Sequence, residues 1–215
     1  MARERVSTYT GDNVEITYDR DKCIHAAECG RGSAKLFDAS KDPWCDPDAV
    51  DADTALRVVE RCPTGALTAR RLDGEYAHTV SGVAQVQVNP DGPVYVSGDL
   101  KLAGEPVAPR LALCRCGASR NKPLCDRSHV KAGFRDSGPV NCDPATGALD
   151  AGPLNITPVP DGPVILEGPF ELRAASGRVA MRGKRAALCR CGQSKNKPFC
   201  DGSHTEAGFK SDPAL

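Results

Sequence analysis

The sequence predicts a small, mainly-β protein of the α+β class. It reads as three modules, one at 1–75 and two similar ones at 80–140 and 150–215. Three observations carry that expectation. The stretch 111–135, LALCRCGASRNKPLCDRSHVKAGFR, returns at 186–210 as AALCRCGQSKNKPFCDGSHTEAGFK, an internal repeat. Glycine (21) and proline (17) are abundant while aromatics make up 5 %, which disfavours a large helical core. Eleven cysteines occur with no export signal in view, and an odd, intracellular set opposes a disulfide scaffold. Thiolates that bind metal remain.

Charge narrows the function classes. The chain has 28 basic and 28 acidic residues, so bulk charge gives no grip on nucleic acid or anionic membrane. The balance is uneven: residues 1–60 carry 8 basic and 13 acidic side chains, and the remainder carries 20 and 15. No apolar run is long enough to span a bilayer. The opening Met-Ala-Arg-Glu-Arg lacks the apolar stretch of a signal peptide. The expected location is the cytoplasm, with neither nucleic acid nor membrane as partner.

The elements follow in order. Val14–Tyr18 reads as a short strand. A helix is expected near 53–61, opened by Asp51 and Asp53 and stopped at Cys62-Pro63, because the residue before proline avoids the α region. Alternation of Ala84, Val86 and Val88 with Gln85 and Gln87 predicts a half-buried strand. PDGPV at 90–94 and again at 160–164 marks turns that lead into strands at Val94–Val96 and Val164–Leu166. This block repeats at an offset of 70 and the cysteine box at 75, which places about five extra residues in the second copy, at the ASGR loop 175–178. Strands Leu111–Cys114 and Ala187–Cys189 lead into the cysteine boxes, and 136–153 reads as the linker between copies. Units this small commonly need a metal or a partner, and the two copies can supply both by packing on each other as an intrachain pseudo-dimer.

Each copy carries C-x-C-x8-C-x3-H: Cys114, Cys116, Cys125, His129 and Cys189, Cys191, Cys200, His204. Cysteines at i and i+2 of an extended segment point the same way and can share one ion. Cysteine and histidine at i and i+4 fall on one face of a helical turn and can share another. Asp126 and Asp201 are expected to cap that turn. Two ions with two ligands each describe a [2Fe–2S] rhomb; four ligands on one ion describe zinc, and spacing alone permits both.

The run CRCGxSxNKPxCDxSH resembles the CDGSH-type iron–sulfur domain of the mitoNEET class. The second copy has CDGSH verbatim at 200–204, and the first has CDRSH at 125–129, with Arg127 in the glycine position. The resemblance covers about 130 residues over both copies. It implies a three-Cys, one-His [2Fe–2S] cluster in each, with Cys114 and Cys116 on the inner iron, Cys125 and His129 on the outer one, and likewise in copy two. Imidazole in place of a thiolate makes the cluster less negative and raises its potential, and it titrates near neutral pH, so reduction is expected to couple to protons. Lys122 and Lys197 are candidates to donate to the cluster or its histidine, with a solvated turn lysine as the equal alternative.

The amino-terminal module holds Cys23, Cys29 and Cys62-Pro63, a ferredoxin-like pattern in which Ala26 fills the middle slot. Three thiolates suit a [3Fe–4S] cluster; a [4Fe–4S] cluster needs His25, Cys45 or water on the fourth iron. CIHAAECGRGSAKLFD…RCPTGAL resembles the divergent single-cluster ferredoxin domain over roughly 8–72, which implies Cys23, Cys29 and Cys62 as ligands. Cys45, beside Trp44, is expected to be a core thiol. Cys142 is expected to be unligated and His78 a surface residue. Gly30-Arg31-Gly32 lacks the context of a nucleotide loop.

These features together predict a cytoplasmic multi-cluster electron carrier, not an enzyme, serving reductase or oxidoreductase partners. The alternatives are cluster storage and delivery to apo iron–sulfur proteins, or a zinc-based interaction module. An RNA-reading zinc module lacks stacking aromatics, since its boxes offer only Phe134, Phe199 and Phe209.

Overall fold

The computed structural model describes residues 5–74, 82–142 and 147–211. The chain divides into two compact units, Met1–Thr79 and Val80–Leu215. His78 lies outside the described residues.

Among its described residues, the first unit has a three-stranded antiparallel sheet and two α-helices. Strands β1 (Val6–Thr10), β2 (Val14–Asp19) and β3 (Leu67–Arg71) lie in that order, with β2 central. Only β2 is legible from its sequence; β1 and β3 are short and polar on one face, and pairing with β2 makes them strands. Helix α1 (Glu28–Gly32) follows a loop in which His25 and Ala27 take left-handed backbone conformations, φ 51° and 62°. Helix α2 (Ala52–Glu60) sits where the sequence puts it. Asp51 caps it, its carboxylate accepting from the Thr54 N–H at 2.9 Å. Ala55, Leu56, Val58 and Val59 project from its buried face onto Val14, Ile16 and Leu67 of the sheet. Trp44 lies in an aromatic nest of Tyr9, Tyr18 and Phe37, its indole N–H donating to the Tyr9 hydroxyl at 2.6 Å.

The second unit places both repeat copies in a single sheet. Copy one supplies β4 (Ala84–Val88), β5 (Val94–Ser97), β6 (Leu100–Leu102), β7 (Glu105–Pro106) and β8 (Arg110–Leu113). The one-turn helix α3 (Ser128–Lys131) closes its cysteine box. Copy two supplies β9 (Leu154–Pro158), β10 (Val164–Arg173), β11 (Val179–Leu188) and the one-turn helix α4 (Ser203–Glu206). The eight strands run β7-β6-β9-β10-β4-β5-β8, with β11 on β10. As the alternation requires, Ala84, Val86 and Val88 are buried while Gln85 and Gln87 are not.

The order reveals an exchange. Within copy one, β6 leaves β5 and pairs in parallel with β9 of copy two, Leu100 opposite Leu154. The second half of β10 pairs in parallel with β4 of copy one, Phe170 opposite Ala84. Residue 170 corresponds to 100, and 154 to 84, at the repeat offset of 70, so the two pairings are reciprocal. A bend is needed where each strand crosses over. Gly98 and Gly168 provide it at equivalent positions, with φ of 149° and 127°; a Cβ on Gly168 would meet the Pro153 carbonyl oxygen at 2.2 Å. The extra residues of copy two lie in the β10–β11 turn, as the offsets indicate.

Leu100, Leu154, Ile156, Leu166, Phe170 and Leu172, drawn from both copies, are 0–2 % exposed and form one core. The segment after copy one is more than a linker: Val140 is buried in that core. Among the described residues, no helix is long and apolar enough to cross a membrane.

Candidate metal centres

Each CDGSH box is a loop folded back along its own strand. Leu113 bridges Leu124, and Leu188 bridges Phe199. The Cys125 N–H donates to the Ala112 carbonyl and the Cys114 N–H to that of Pro123, both at 2.8 Å; Cys200 with Ala187 and Cys189 with Pro198 repeat these distances. The eight-residue spacer therefore has a defined job, to set the third cysteine beside the strand that carries the first. The hydroxyl of Ser119 ties the loop internally, donating to the Leu124 carbonyl at 2.6 Å and accepting from the Asn121 N–H at 3.0 Å. Ser194 does the same in copy two.

The donors come in pairs. Cys114 and Cys116 Sγ are 3.7 Å apart, as are Cys189 and Cys191. Cys125 Sγ lies 3.5 Å from His129 Nδ1, and Cys200 Sγ 3.4 Å from His204 Nδ1. Two sulfurs bound tetrahedrally at about 2.3 Å to one ion sit roughly 3.7–3.8 Å apart, so each pair has the span of two ligands on one metal. Among the described residues, no three Cys, His, Asp or Glu side chains gather around one ion position.

The cysteine–histidine approach arises differently from the expected helical face. Cys125 precedes α3, and the turn is made at Arg127, φ 71°, with Gly202 at φ 90° in copy two. These residues, not Asp126 and Asp201, are the caps, and neither makes a side-chain cap. The aspartates stand one residue earlier, yet they still collect N–H donors. Asp126 accepts from Ser128 at 2.9 Å and Arg120 at 3.0 Å, and Asp201 from Ser203 at 3.0 Å and Lys195 at 2.8 Å. Burial alone would raise the Asp126 pKa, but these bonds outweigh it and hold the carboxyl at about 2.

The sulfurs are prepared to carry negative charge. The N–H groups of Ala118, Gln193 and Arg127 point at Cys116, Cys191 and Cys125 Sγ, each at 3.4 Å. In the metal-free pair, Cys114 keeps the proton and donates it, pushing Cys114 up and lowering Cys116 to about 6. Burial lifts Cys125 to about 11. Burial, then the charge of Arg127, lowers the His129 imidazole below its usual range, with Asp126 acting against them.

Lys122 and Lys197 donate to the carbonyls of Ser119 and Ser194, at 2.5 and 2.6 Å. Each ammonium has further protons to give. Sequence reasoning missed Arg115 and Arg190, each 1 % exposed. Strand alternation between two cysteines was the signal: it turns the middle side chain away from its own pair.

In the first unit, Cys23 and Cys62 both lie within electrostatic reach of Cys29: burial raises the Cys29 thiol, and the charges of Cys62 and Cys23 add to it. Cys23 Sγ accepts from the His25 N–H at 3.4 Å. Burial raises Tyr18, and its hydrogen bond to Cys23 adds to the shift, a contact the sequence did not signal. Cys62 Sγ is 3.7 Å from the Thr64 hydroxyl. Cys45 is 1 % exposed within the core, bridged to Phe37, and burial lifts its thiol to about 12. Cys142 is exposed, with its thiol on the Ala180 carbonyl at 3.6 Å.

Comparison with known proteins agrees with this division. A family described as divergent 4Fe-4S mono-cluster matches residues 9–72, and the iron-binding zinc finger CDGSH type matches 91–130 and 161–205. The uncharacterized protein YjdI of Escherichia coli K12 is 40 % identical over 62 residues, which are 29 % of this chain and 82 % of that protein. YjdI of Escherichia coli O157:H7 matches equally. The chain is therefore an iron–sulfur protein that joins a YjdI-family unit of the divergent mono-cluster type to two CDGSH domains.

Proposed function

We propose that this protein is an electron carrier with three iron–sulfur clusters. Cys114, Cys116, Cys125 and His129 would hold one [2Fe–2S] cluster, and Cys189, Cys191, Cys200 and His204 a second. Cys23, Cys29 and Cys62 would hold a [3Fe–4S] cluster, or a [4Fe–4S] cluster whose fourth iron takes a further ligand. The observation that carries this reading is the donor pairing, 3.7 Å between cysteines and 3.4–3.5 Å between cysteine and histidine. Bound clusters would supply one-electron redox capacity. The backbone N–H groups aimed at sulfur stabilise anionic thiolate, and His129 and His204 present Nδ1 to the site, an imidazole in place of a thiolate at each cluster. Reduction would therefore couple to protons.

The reciprocal strand exchange supports an intrachain pseudo-dimer, in which one chain supplies the two halves a pair of single-domain chains would bring together. Eleven free thiols favour a reducing cytoplasm, and the partners would be reductases or oxidoreductases. Iron and acid-labile sulfide counts on anaerobic protein, with EPR before and after dithionite, test the proposal. The expected result is two signals that appear only on reduction. Absence of acid-labile sulfide overturns it.

One observation favours a second role, delivery of a cluster to apo-proteins. The outer cysteine of copy two, Cys200, is partly exposed, whereas Cys125 is buried. Transfer of radiolabelled iron to an apo-ferredoxin, emptying the second site before the first, is the outcome expected of that role.

A further inference from the structure

The two CDGSH sites share their ligands but not their charge. Residues 114–131 include five basic side chains and one acidic; the equivalent 189–206 include three and two. Exposed Arg127 stands where copy two has Gly202, and exposed Lys131 where it has Glu206. Arg127 keeps this position although its φ of 71° is one that glycine would adopt without strain.

A second difference is buried. Arg115 is fully engaged. It donates through Nε to Gly92 at 3.0 Å, through Nη2 to the Asn89 carbonyl at 2.6 Å, and through Nη1 to the carboxylate of Asp136. Arg190 repeats the backbone bonds, to Gly162 at 2.9 Å and to Val159, but its buried Nη1 has no hydrogen-bond partner among the described residues. The residue equivalent to Asp136, at the repeat offset of 75, is Ser211, whose buried Oγ is also without a partner. Asp161 does not make good the loss. It is held by Lys210 at 2.7 Å and the Ser211 N–H at 2.8 Å, and its counterpart Asp91 is present in copy one as well. Among the described residues, the copies thus differ by one partly buried carboxylate, its side chain 15 % exposed.

The Arg190 guanidinium has no hydrogen-bonded carboxylate among the described residues, though the charge of Asp161 also acts on it. It lies 5.5 Å over the Phe209 ring, which also receives Lys122 Nζ of copy one at 5.7 Å, and its charge acts on Cys114. We propose that the first site, Cys114, Cys116, Cys125 and His129, is the electron sink of the pair. Arg190, Arg127 and Lys131 bias the first electron towards it over the second site. The step is a one-electron reduction of ferric to ferrous iron by a one-electron donor, with no bond made or broken. Added negative charge is stabilised where the surrounding net charge is more positive.

This inference rests on the two-cluster reading above, and the test separates them. The full chain with its clusters in place is titrated with dithionite at controlled potential and followed by EPR. Two steps are expected, at least about tenfold apart in equilibrium constant, which is about 59 mV for a one-electron couple. The earlier signal should change shape in His129→Cys and keep it in His204→Cys. Ser211→Asp, which returns a carboxylate to Arg190, should lower the earlier step about tenfold. The surface variant Arg127→Gly/Lys131→Glu should lower it as well and remains informative if Ser211→Asp fails to fold. Coincident steps, an earlier signal that follows His204, or an earlier step unmoved by every variant that folds would overturn the proposal. Lack of acid-labile sulfide would overturn the cluster reading instead.

Discussion

The two units bind their metals in different relation to their cores. In the first, Cys62 is a core residue, and Cys23 and Cys29 pack against the same apolar cluster as Ile16, Leu36 and Val59. In the second, the apolar cluster, drawn mainly from β4–β6 and β8–β11, contains no cysteine among the described residues; Cys114, Cys125, Cys189 and Cys191 are buried beside it, where the boxes lie along the sheet. The lesson is about dependence. A unit whose ligands are part of its core loses packing when the metal leaves. A unit whose core is complete without them loses only its site.

The largest effect expected from breaking this comparison comes from Phe170→Ala. Phe170 is 0 % exposed on the exchanged half of β10, opposite Ala84 of the other copy. Its loss should cost about 3–5 kcal/mol. Iron content and visible spectra should show both CDGSH sites emptying together while the first unit keeps its cluster. Emptying of one CDGSH site alone would refute the coupling by strand exchange.

Metal removal comes next. Anaerobic chelation followed by hydrogen exchange should leave the amides of 84–113 and 154–188 protected and release those of 14–19 and 52–71. Equal loss in both units would show that the core of the second also needs its metal.

Asp126→Ala is a smaller change within the second unit. The folded carboxyl sits at about 2, below an unfolded value near 4, so its contribution, which solvent screening holds to about 1 kcal/mol, is complete above the unfolded pKa. It disappears as pH falls through about 2. Denaturant melts of variant and parent should therefore differ at pH 6 and converge near pH 2.

The smallest effect is chemical. In the metal-free chain, alkylation at pH 7 should reach Cys116, with its pKa of about 6, well before Cys125 at about 11. Mass spectrometry that follows the Cys116 and Cys125 adducts over time decides this.

Much of the site could be read from the chain, because ligand spacing and turn chemistry are local. The boxes, the alternation at 84–88, the helix capped by Asp51 and the extra turn in copy two all rest on neighbours a few residues apart. What stayed hidden is non-local. β1 and β3 become strands by pairing with β2, and β6 and β10 cross into the other copy's half of the sheet. The caps at Arg127 and Gly202 were misplaced by one residue because Asp126 is an excellent capping type standing beside a left-handed turn. The Asp136–Ser211 difference was visible at the repeat offset, but its meaning needed the buried arginines.

Gly117 and Gly192 bring the two boxes into intimate backbone contact. A Cβ on Gly117 would fall 2.2 Å from the Cys191 carbonyl oxygen, and one on Gly192 would fall 2.4 Å from that of Cys116. The duplicated halves therefore constrain each other's inheritance. A side chain gained at either glycine would damage the sister motif as surely as its own, so neither half is free to decay into a spare part while the other carries on.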